Sequence, residues 1–508
     1  YHNGKLGYMP AKTFQDFRGG VDRRKSEQIV DQFGLYDCKN AFINSGFAVK
    51  KRAGLDLLSV SGTTKLAANS VGLFEFNESL YVVSHATAGT QTISGYGVGS
   101  GYPISTSVYT LALPDPDNGS NTVAQVWQFI VFNNNLYVVV EYADGTIRHH
   151  YGTSAQMIAG TNVAITDANC PNGKSVCAHD SKIYGVEPDA SNPAYVKYSA
   201  TEDPTNWSKV KDASGTLGLP AGLEASGNEF VKAVTSYRGF LCSFMENSIQ
   251  LWKTNPNPAL TELNTTVDNA FVEYHRTIAP INEDVFYLNS TGIHSVGQKV
   301  YTDTMSTTDV GSPIADLVVA SLSSTYEPKS VYFPGENQYI LANNTDMFVF
   351  THSSTAKLTA WTRYVIPNQI LDMVAYRNYL FLRIKEGSDE YIYSFNPSSY
   401  QDATASSTSD IDVEILSSFN SLDIPGAWKQ VYGSDIMFTG TANLQHRWDS
   451  RSPSSFTTAI SLSNDTRPGV LIPVELMTTE IGYKVTQSDN SDFQLNGITY
   501  YYNNLGLF

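Results

Sequence analysis

The chain has 508 residues, 42% hydrophobic and only 16% charged, which is enough to bury a substantial core and excludes wholesale disorder. Asn, Ser, Thr, Gly and Tyr are abundant, a composition that favours strands and turns over exposed amphipathic helices. The formal charge of −16 excludes a protein that grips nucleic acid across a wide basic face, though not one whose walls let DNA slide past.

In chain order, the first segment contains "DFRGGVDRRKSEQ" and "LYDCKNAFINSGFAVKKRAGLDLL", too irregular for a repeat, and residues 1–66 are expected to form an N-terminal segment used for assembly contacts. Its small basic clusters, Asp22 to Lys25 and Lys50 to Arg52, read as solvated faces, or in so acidic a chain as contacts for an acidic partner subunit.

From Val71 onward a strand pair recurs, an apolar strand, a short polar turn and an aromatic-rich strand, first as "VGLFEFNESLYVVS" and then as "VWQFIVFNNNLYVVVEY". The first strand residue after each turn is Leu80, Leu136, Ile183, Phe240, Val285, Tyr339 and Leu380, at separations of 56, 47, 57, 45, 54 and 41. Each copy holds two hairpin strands with room for two more, and tandem four-stranded units at this interval are the signature of β-propeller blades. The turns carry Asn, Gly, Asp, Ser and Arg, suited to tight reversals. The fold class is therefore all-β, with a β-propeller of about six to seven blades over 67–400; stacked β-sandwiches are the competing arrangement, but they do not demand this repeat.

One helix is predicted inside the β pattern, in "GSPIADLVVASLSS", with Ser312 as N-cap and Pro313 as the first helical residue. "QDATASSTSD" after Tyr400 reads as a linker. Beyond it "IDVEILSSF", "QVYGSDIMFTG", "LIPVELM", "IGYKVTQS" and "FQLNGITYYYNN" alternate as strands of a second, smaller, sandwich-like β domain over 401–508.

Chemistry is sparse. There is no GxSxG, HExxH, Walker loop or CxxC pair. "DPDNGSN" from Asp115 has alternating oxygen ligands but Val126 at its twelfth position, so an EF-type calcium loop fails. His149 and His150 are neighbours on a strand and point to opposite faces, which suits a surface or cross-strand role better than one ion. The four cysteines, Cys38, Cys170, Cys177 and Cys242, are expected to be reduced and partly buried. Seven Asn-x-Ser/Thr triplets, among them Asn77, Asn206, Asn264 and Asn343, carry meaning only on a secretory route, and nothing at the start of the chain reads as a signal peptide. No run approaches the ~20 apolar residues that span a bilayer, so stable membrane insertion is not expected. No catalytic, cofactor-binding or metal-binding residue is assigned.

The stretch "KYSATEDPTNWSK" pairs two carboxylates, Glu202 and Asp203, with an indole. Sequence neighbours without a second set of acids make a poor catalytic pair. Asp203-Pro204-Thr205-Asn206 reads as a turn with Pro at its second position, Trp207 covering the core beside it and Tyr198 ending the preceding strand.

Three stretches together resemble the tail-nozzle, or tail-hub, proteins of short-tailed bacteriophages, also called packaged-DNA stabilisation proteins. The N-terminal pattern matches at Phe17, Gly19, Gly20, Asn40, Gly46, Arg52 and Gly54; "YSATEDPTNWS" matches a Ser-Ala-x-x-Asp-Pro-x-x-Trp segment; and "VTSYRGFLCSFMENSIQLW" leads through "IAPINEDVFYLNSTGIHSVG" into "SPIADLV" in the same order and spacing. The resemblance implies a non-enzymatic virion protein, one subunit of a homo-hexameric ring that closes the tail tube, retains packaged double-stranded DNA and conducts it outward without sequence specificity. It implies portal and adaptor proteins above, tail fibre or needle proteins below, a place in the virion tail, and assembly in the host bacterial cytoplasm. Phe17, Gly19, Gly20, Asn40, Gly46, Arg52, Gly54, Asp203, Pro204 and Trp207 would then be structural or assembly residues. A propeller-type carbohydrate-active tail enzyme, or a host-binding adhesin, is the alternative.

Overall fold

A computed structural model describes residues 10–27, 32–60, 65–67, 70–85, 89–94, 105–187, 195–208, 218–222, 229–281, 284–297, 309–376, 378–463 and 470–506. Small sheets follow one another along most of the chain. The first blade holds Val71–Phe76, Ser79–Ser84, Gly89–Ser94 and Ser105–Ala112. The second is the three-stranded sheet Val123–Phe132, Asn135–Tyr142 and Ile147–Gly152. The third and fourth run from Val176–His179 to Gly218–Leu219 and from Val231–Tyr237 to Glu262–Asp268. The fifth comprises Tyr274–Ile281, Asp284–Asn289 and Gly292–Ser295, and the sixth runs from Lys329–Phe333 to Leu358–Val365. Gln369–Tyr376, Tyr379–Glu386 and Asp389–Asn396 begin the seventh.

The blades close into a ring. The first strand of each blade touches the first strand of the next, and Gln369–Tyr376 of the seventh touches Val71–Phe76 of the first, so the chain is a seven-bladed β-propeller. Radial repetition of this kind leaves only the short outermost strand of each blade as an edge. All seven turn-marked residues, from Leu80 to Leu380, sit in the second strand of their blades, as the repeat requires. The turns before Leu80, Leu136, Ile183 and Phe240 are two-residue loops, at Asn77-Glu78, Asn133-Asn134, Asp180-Ser181 and Arg238-Gly239. Both central residues of each have positive φ, the type I′ geometry whose twist matches the strands.

The expected division at 66/67 and 400/401 is replaced by a more entangled one. Gly54–Val60 pairs antiparallel with Asp389–Asn396 and is the fourth strand of the seventh blade, so the ring takes a strand from the segment first read as irregular. "QDATASSTSD" is no linker: Gln401–Ala403 and Thr408–Asp410 form a hairpin whose Asp402 registers against Leu55.

The remaining N-terminal strands join the C-terminal ones in a two-sheet sandwich. One sheet orders Ile472–Thr478, Trp428–Thr439, Gln494–Gly506, Val49–Lys51 and Ala41–Ile43, with Ala11–Phe14 also on Gln494–Gly506. The other orders Gly34–Lys39, Val413–Ser417, Gly482–Gln487, Thr441–Arg447 and Ile460–Ser463, and it continues blade six through the Arg363–Lys39 register. Inward residues of both, such as Cys38, Ile415, Val485, Ile436, Ile498 and Tyr500, share one core, which runs on into Trp361 and Phe286 of the propeller.

The helix lies where predicted, but its cap differs. Ser312–Ile314 is a 3-10 turn with Gly311 as N-cap and no side-chain cap bond, leading into the α-helix Ala315–Ser321. A second short helix, Ser154–Ala159, went unread in sequence although Thr153 and Gln156 form a capping box. No helix among the described residues is long and apolar enough to cross a membrane.

Candidate functional site

The ring axis is where side chains from several blades converge. A cavity of about 320 Å³ there is lined by five blades, including Phe74, Trp127, His275, Arg276, Lys329 and Asp372. The local cause is a set of β-bulges. First strands slip register at Val71/Phe74, Val126/Gln128, Tyr274/Ala279 and Ile370/Asp372, and the extra residues turn Trp127, His275 and Arg276 toward the axis. In blade five the bulge is held open by Thr277, whose hydroxyl donates to the Tyr274 carbonyl at 2.6 Å and accepts the Leu288 N–H at 3.0 Å.

Most of the cavity's charges are held in one ion-pair network. Asp372 pairs with Arg276 and, at 2.7 Å, with Nε of Arg383, which also reaches Glu390. Burial alone would raise the Asp372 carboxyl, but Arg383, Arg276 and Lys329 outweigh it and hold the group below its usual range. A carboxylate clamped by two guanidiniums is an ion-pair latch between blades five and seven, not a free base. Lys329 is 8% exposed and donates to the carbonyls of Ile370 (3.2 Å) and Leu371 (2.5 Å). Burial first, and Arg276 second, push its ammonium down to about 7. Burial, helped by Arg276 and Lys174, pushes His275 down to about 3, so the ring is neutral at physiological pH. His275 packs on Trp127 with centroids 4.9 Å apart, and Lys174 sits 3.9 Å over the same indole. Trp127 donates to Glu141 at 2.6 Å.

The motif-matched residues lie elsewhere, mostly at the junction of propeller and sandwich. Arg52 lies on Asp402 with two bonds, at 2.8 and 2.5 Å, and donates through Nε to Asn40 Oδ1 at 3.1 Å and through a terminal nitrogen to the Val365 carbonyl. Asn40, at positive φ, accepts the Val365 N–H and donates to the Asp412 carbonyl. Phe17 is in the shared core. Gly20 also has positive φ, and a Cβ there would lie 2.7 Å from the Trp361 nitrogen; one on Gly54 would lie 2.2 Å from the Gln401 carbonyl oxygen. Gly19 is similarly confined by Phe33, while Gly46 meets only the Asn44 side chain, at 3.3 Å.

The Asp203-Pro204-Thr205-Asn206 turn forms, with Asn206 N–H bonded to the Asp203 carbonyl and Asp203 Oδ1 accepting from Thr205. Trp207 is 1% exposed, donates to the Pro204 carbonyl at 2.9 Å, and packs with Tyr137 and Ile183 between blades two and three.

Several other expectations change. Much of the basic clusters is engaged within the chain: Lys51 is buried and donates to Gln487 and Asp489, Arg52 is consumed as above, Arg24 pairs with Asp22, and Arg23 stacks on Tyr36 and pairs with Asp316. His149 and His150 are buried rather than at the surface, yet they do serve cross-strand, bonding Tyr137 and Tyr142 on the neighbouring strand. In the "DPDNGSN" loop Asp115 accepts from Asn121 at 2.9 Å, and no cluster of three or more His, Cys, Asp or Glu suited to a metal occurs among the described residues. All four cysteines are free, three of them buried, and burial raises every thiol. Asn343 is 1% exposed, so one of the triplets points inward.

Fold and site together define a seven-bladed β-propeller locked to a β-sandwich built from both chain ends. No family model matches the chain, and no curated protein does. Among solved structures it is similar to the Pan2 WD40 domain of Neurospora crassa, at 8% identity over 68% of this chain and 95% of that one, with a TM-score of 0.37. A catalytically inactive virginiamycin B lyase from Staphylococcus aureus aligns at 10% identity, 65% and 97% coverage and a TM-score of 0.36. The exo-beta-1,3-galactanase of Phanerochaete chrysosporium aligns at 14% identity, 64% and 95% coverage and a TM-score of 0.23.

Proposed function

We propose that the chain is a structural subunit of a ring, the hexameric tail nozzle of a short-tailed bacteriophage, non-enzymatic and resident in the virion tail. The observation that carries this reading is an apolar face on the sandwich. Trp428, Leu471, Met477 and Leu505 are 40%, 51%, 56% and 37% exposed. They gather on the outer side of one sheet, where Met477 registers with Gln430, Trp428 with Gly506, and Leu471 covers Gly433. The sheet ends on Ile472–Thr478, whose outer edge pairs with nothing among the described residues. An apolar face beside an open strand edge suits head-to-tail contact with a second copy, and such contacts close into rings.

Portal and adaptor proteins, fibre or needle proteins, and DNA in transit are the partners this reading entails. The axial cavity of one chain is far too small for a duplex whose major groove alone is about 12 Å wide, so a DNA conduit would run between subunits. The acidic balance suits a wall that does not hold DNA. The test is mass photometry and negative-stain microscopy of the purified chain, with and without portal-bearing particles. Rings of six, lost in Leu471→Glu/Met477→Glu, support the proposal; a stable monomer that never rings on such particles overturns it.

A second reading, a propeller-type carbohydrate-active tail enzyme, draws on Lys329 in the axial cavity, which burial lowers to about 7, and on nearby Glu327, whose carboxyl burial raises. Depolymerisation of host polysaccharide, abolished by Glu327→Gln, would favour it.

A further inference from the structure

We propose that the axial cavity is a binding site for a small organic monoanion, a carboxylate carried on an apolar body. This holds whether or not the chain is a nozzle subunit. Two hydrogen-bonding groups in the cavity wall are shielded from solvent and left over by the protein. Nε2 of His275 has no hydrogen-bond partner, and the Lys329 ammonium has three N–H groups of which the carbonyls of Ile370 and Leu371 take two. Buried polar groups normally find partners, so these two, on residues that line one cavity, are the wall's candidate contacts for a ligand.

The charge count sets the ligand's charge. Of the charged residues lining the cavity, Arg276 is paired with Asp372, which Arg383 also holds, and Glu75 accepts from the Glu78 N–H, which leaves Lys329 as the one cation of the wall without an ion-pair partner among the described residues. One uncommitted cation suits one negative charge. The rest of the wall describes the ligand's body. Phe74 and Phe129 stack at 4.5 Å with planes 8° apart, and the Trp127 indole continues the apolar surface beside His275. About 320 Å³ accommodates a ring-sized molecule.

The charged groups acting on Lys329 are Arg276, Asp372, Arg383 and Glu327; Glu75 and His275 also line the cavity, and Lys174 acts on His275. Asp372 holds its charge and His275 is neutral, so Lys329 is the group whose protonation decides anion binding near neutral pH. Carboxylate binding then takes up a proton, and affinity declines as pH rises.

The probe is benzoate, titrated calorimetrically into the full chain, with benzyl alcohol as its uncharged counterpart. Expected are one saturable site per chain, weaker binding from about pH 6 to about pH 9, and a loss of about tenfold or more in Lys329→Met, the scale of one lost charge-assisted hydrogen bond. Lys329→Arg retains most of the affinity. Should Lys329→Met fail to fold, His275→Phe, which keeps the ring packing and removes the free nitrogen, carries the same expectation. Absence of saturable benzoate binding to the folded chain, equal affinity for benzyl alcohol, or unchanged affinity in the folded variants overturns the proposal.

Discussion

Arg52 and Asp402, on either side of the propeller, meet in a two-bond ion pair that is almost wholly buried, with side chains 1% and 6% exposed. Arg52 directly precedes the strand that closes the ring, and Asp402 directly follows the last blade, so the pair fastens the two ends of the circle. Removing one partner strands the other's charge in the interior. Arg52→Met is expected to lower stability by about 3–5 kcal/mol, read from urea unfolding, and adding Asp402→Asn is expected to recover part of that loss, because the two changes share one interaction.

Glycines at the junction separate into two kinds. A methyl group on Gly54 collides with a strand backbone that cannot retreat, so Gly54→Ala is expected to cost about 1–3 kcal/mol in the same unfolding measurement. Gly46→Ala meets only the end of a side chain and should unfold within about 0.5 kcal/mol of the parent. Equal effects of the two substitutions would refute the steric account.

Trp207 seals the space between blades two and three from a turn fixed by Pro204. Trp207→Ala is expected to lower stability by about 3–5 kcal/mol, visible as an early thermal transition. Glu202→Gln should leave stability unchanged, and, under the proposed virion role, a variant that forms particles yet loses function would restore a chemical role to this stretch.

Acid should loosen the chain. Burial pushes His149 down to about 4, His150 to about 3 and His446 to about 4. Unfolded, each binds a proton near 6.5. A depressed histidine favours the folded state fully above that value, and the contribution is lost as pH falls from about 6.5 toward the folded values. The urea midpoint is therefore expected to fall steadily below about pH 6.5, and His150→Gln should reduce the slope by up to about 1.4 kcal/mol per pH unit. A midpoint flat between pH 6.5 and pH 4.5 would contradict this.

The blades were legible because their information is local. A hairpin is announced by two turn residues between apolar strands, and seven of them at a recurring interval indicate a ring of six to seven blades, of which the contacts between first strands show seven. What stayed hidden depends on pairing across hundreds of residues. Nothing near Gly54–Val60 names Asp389–Asn396 as its partner, and Ala11–Phe14 carries no mark of Gln494–Gly506. The "QDATASSTSD" hairpin reads as a linker because its small polar residues carry no alternating apolar pattern, and its one buried charge is explained only by Arg52. The axial cluster was equally invisible. Bulges break the alternation that sequence patterns rely on, so the strands that aim Trp127, His275 and Asp372 inward are those whose pattern misleads most.

The way the ring closes also sets a schedule for synthesis. Asp56 in the closing strand and Asn396 in the strand beside it are bonded at 2.6 Å, yet lie 340 residues apart. At about 5–20 residues per second, the closing strand leaves the ribosome roughly twenty to seventy seconds before its partner exists. Throughout that interval its backbone donors and acceptors are open to any other strand in reach. The same wait applies to the N-terminal strands of the sandwich, whose partners come last of all. Yield of this chain should therefore respond more to translation speed and to chaperones that mask nascent strands than to the stability of the finished ring.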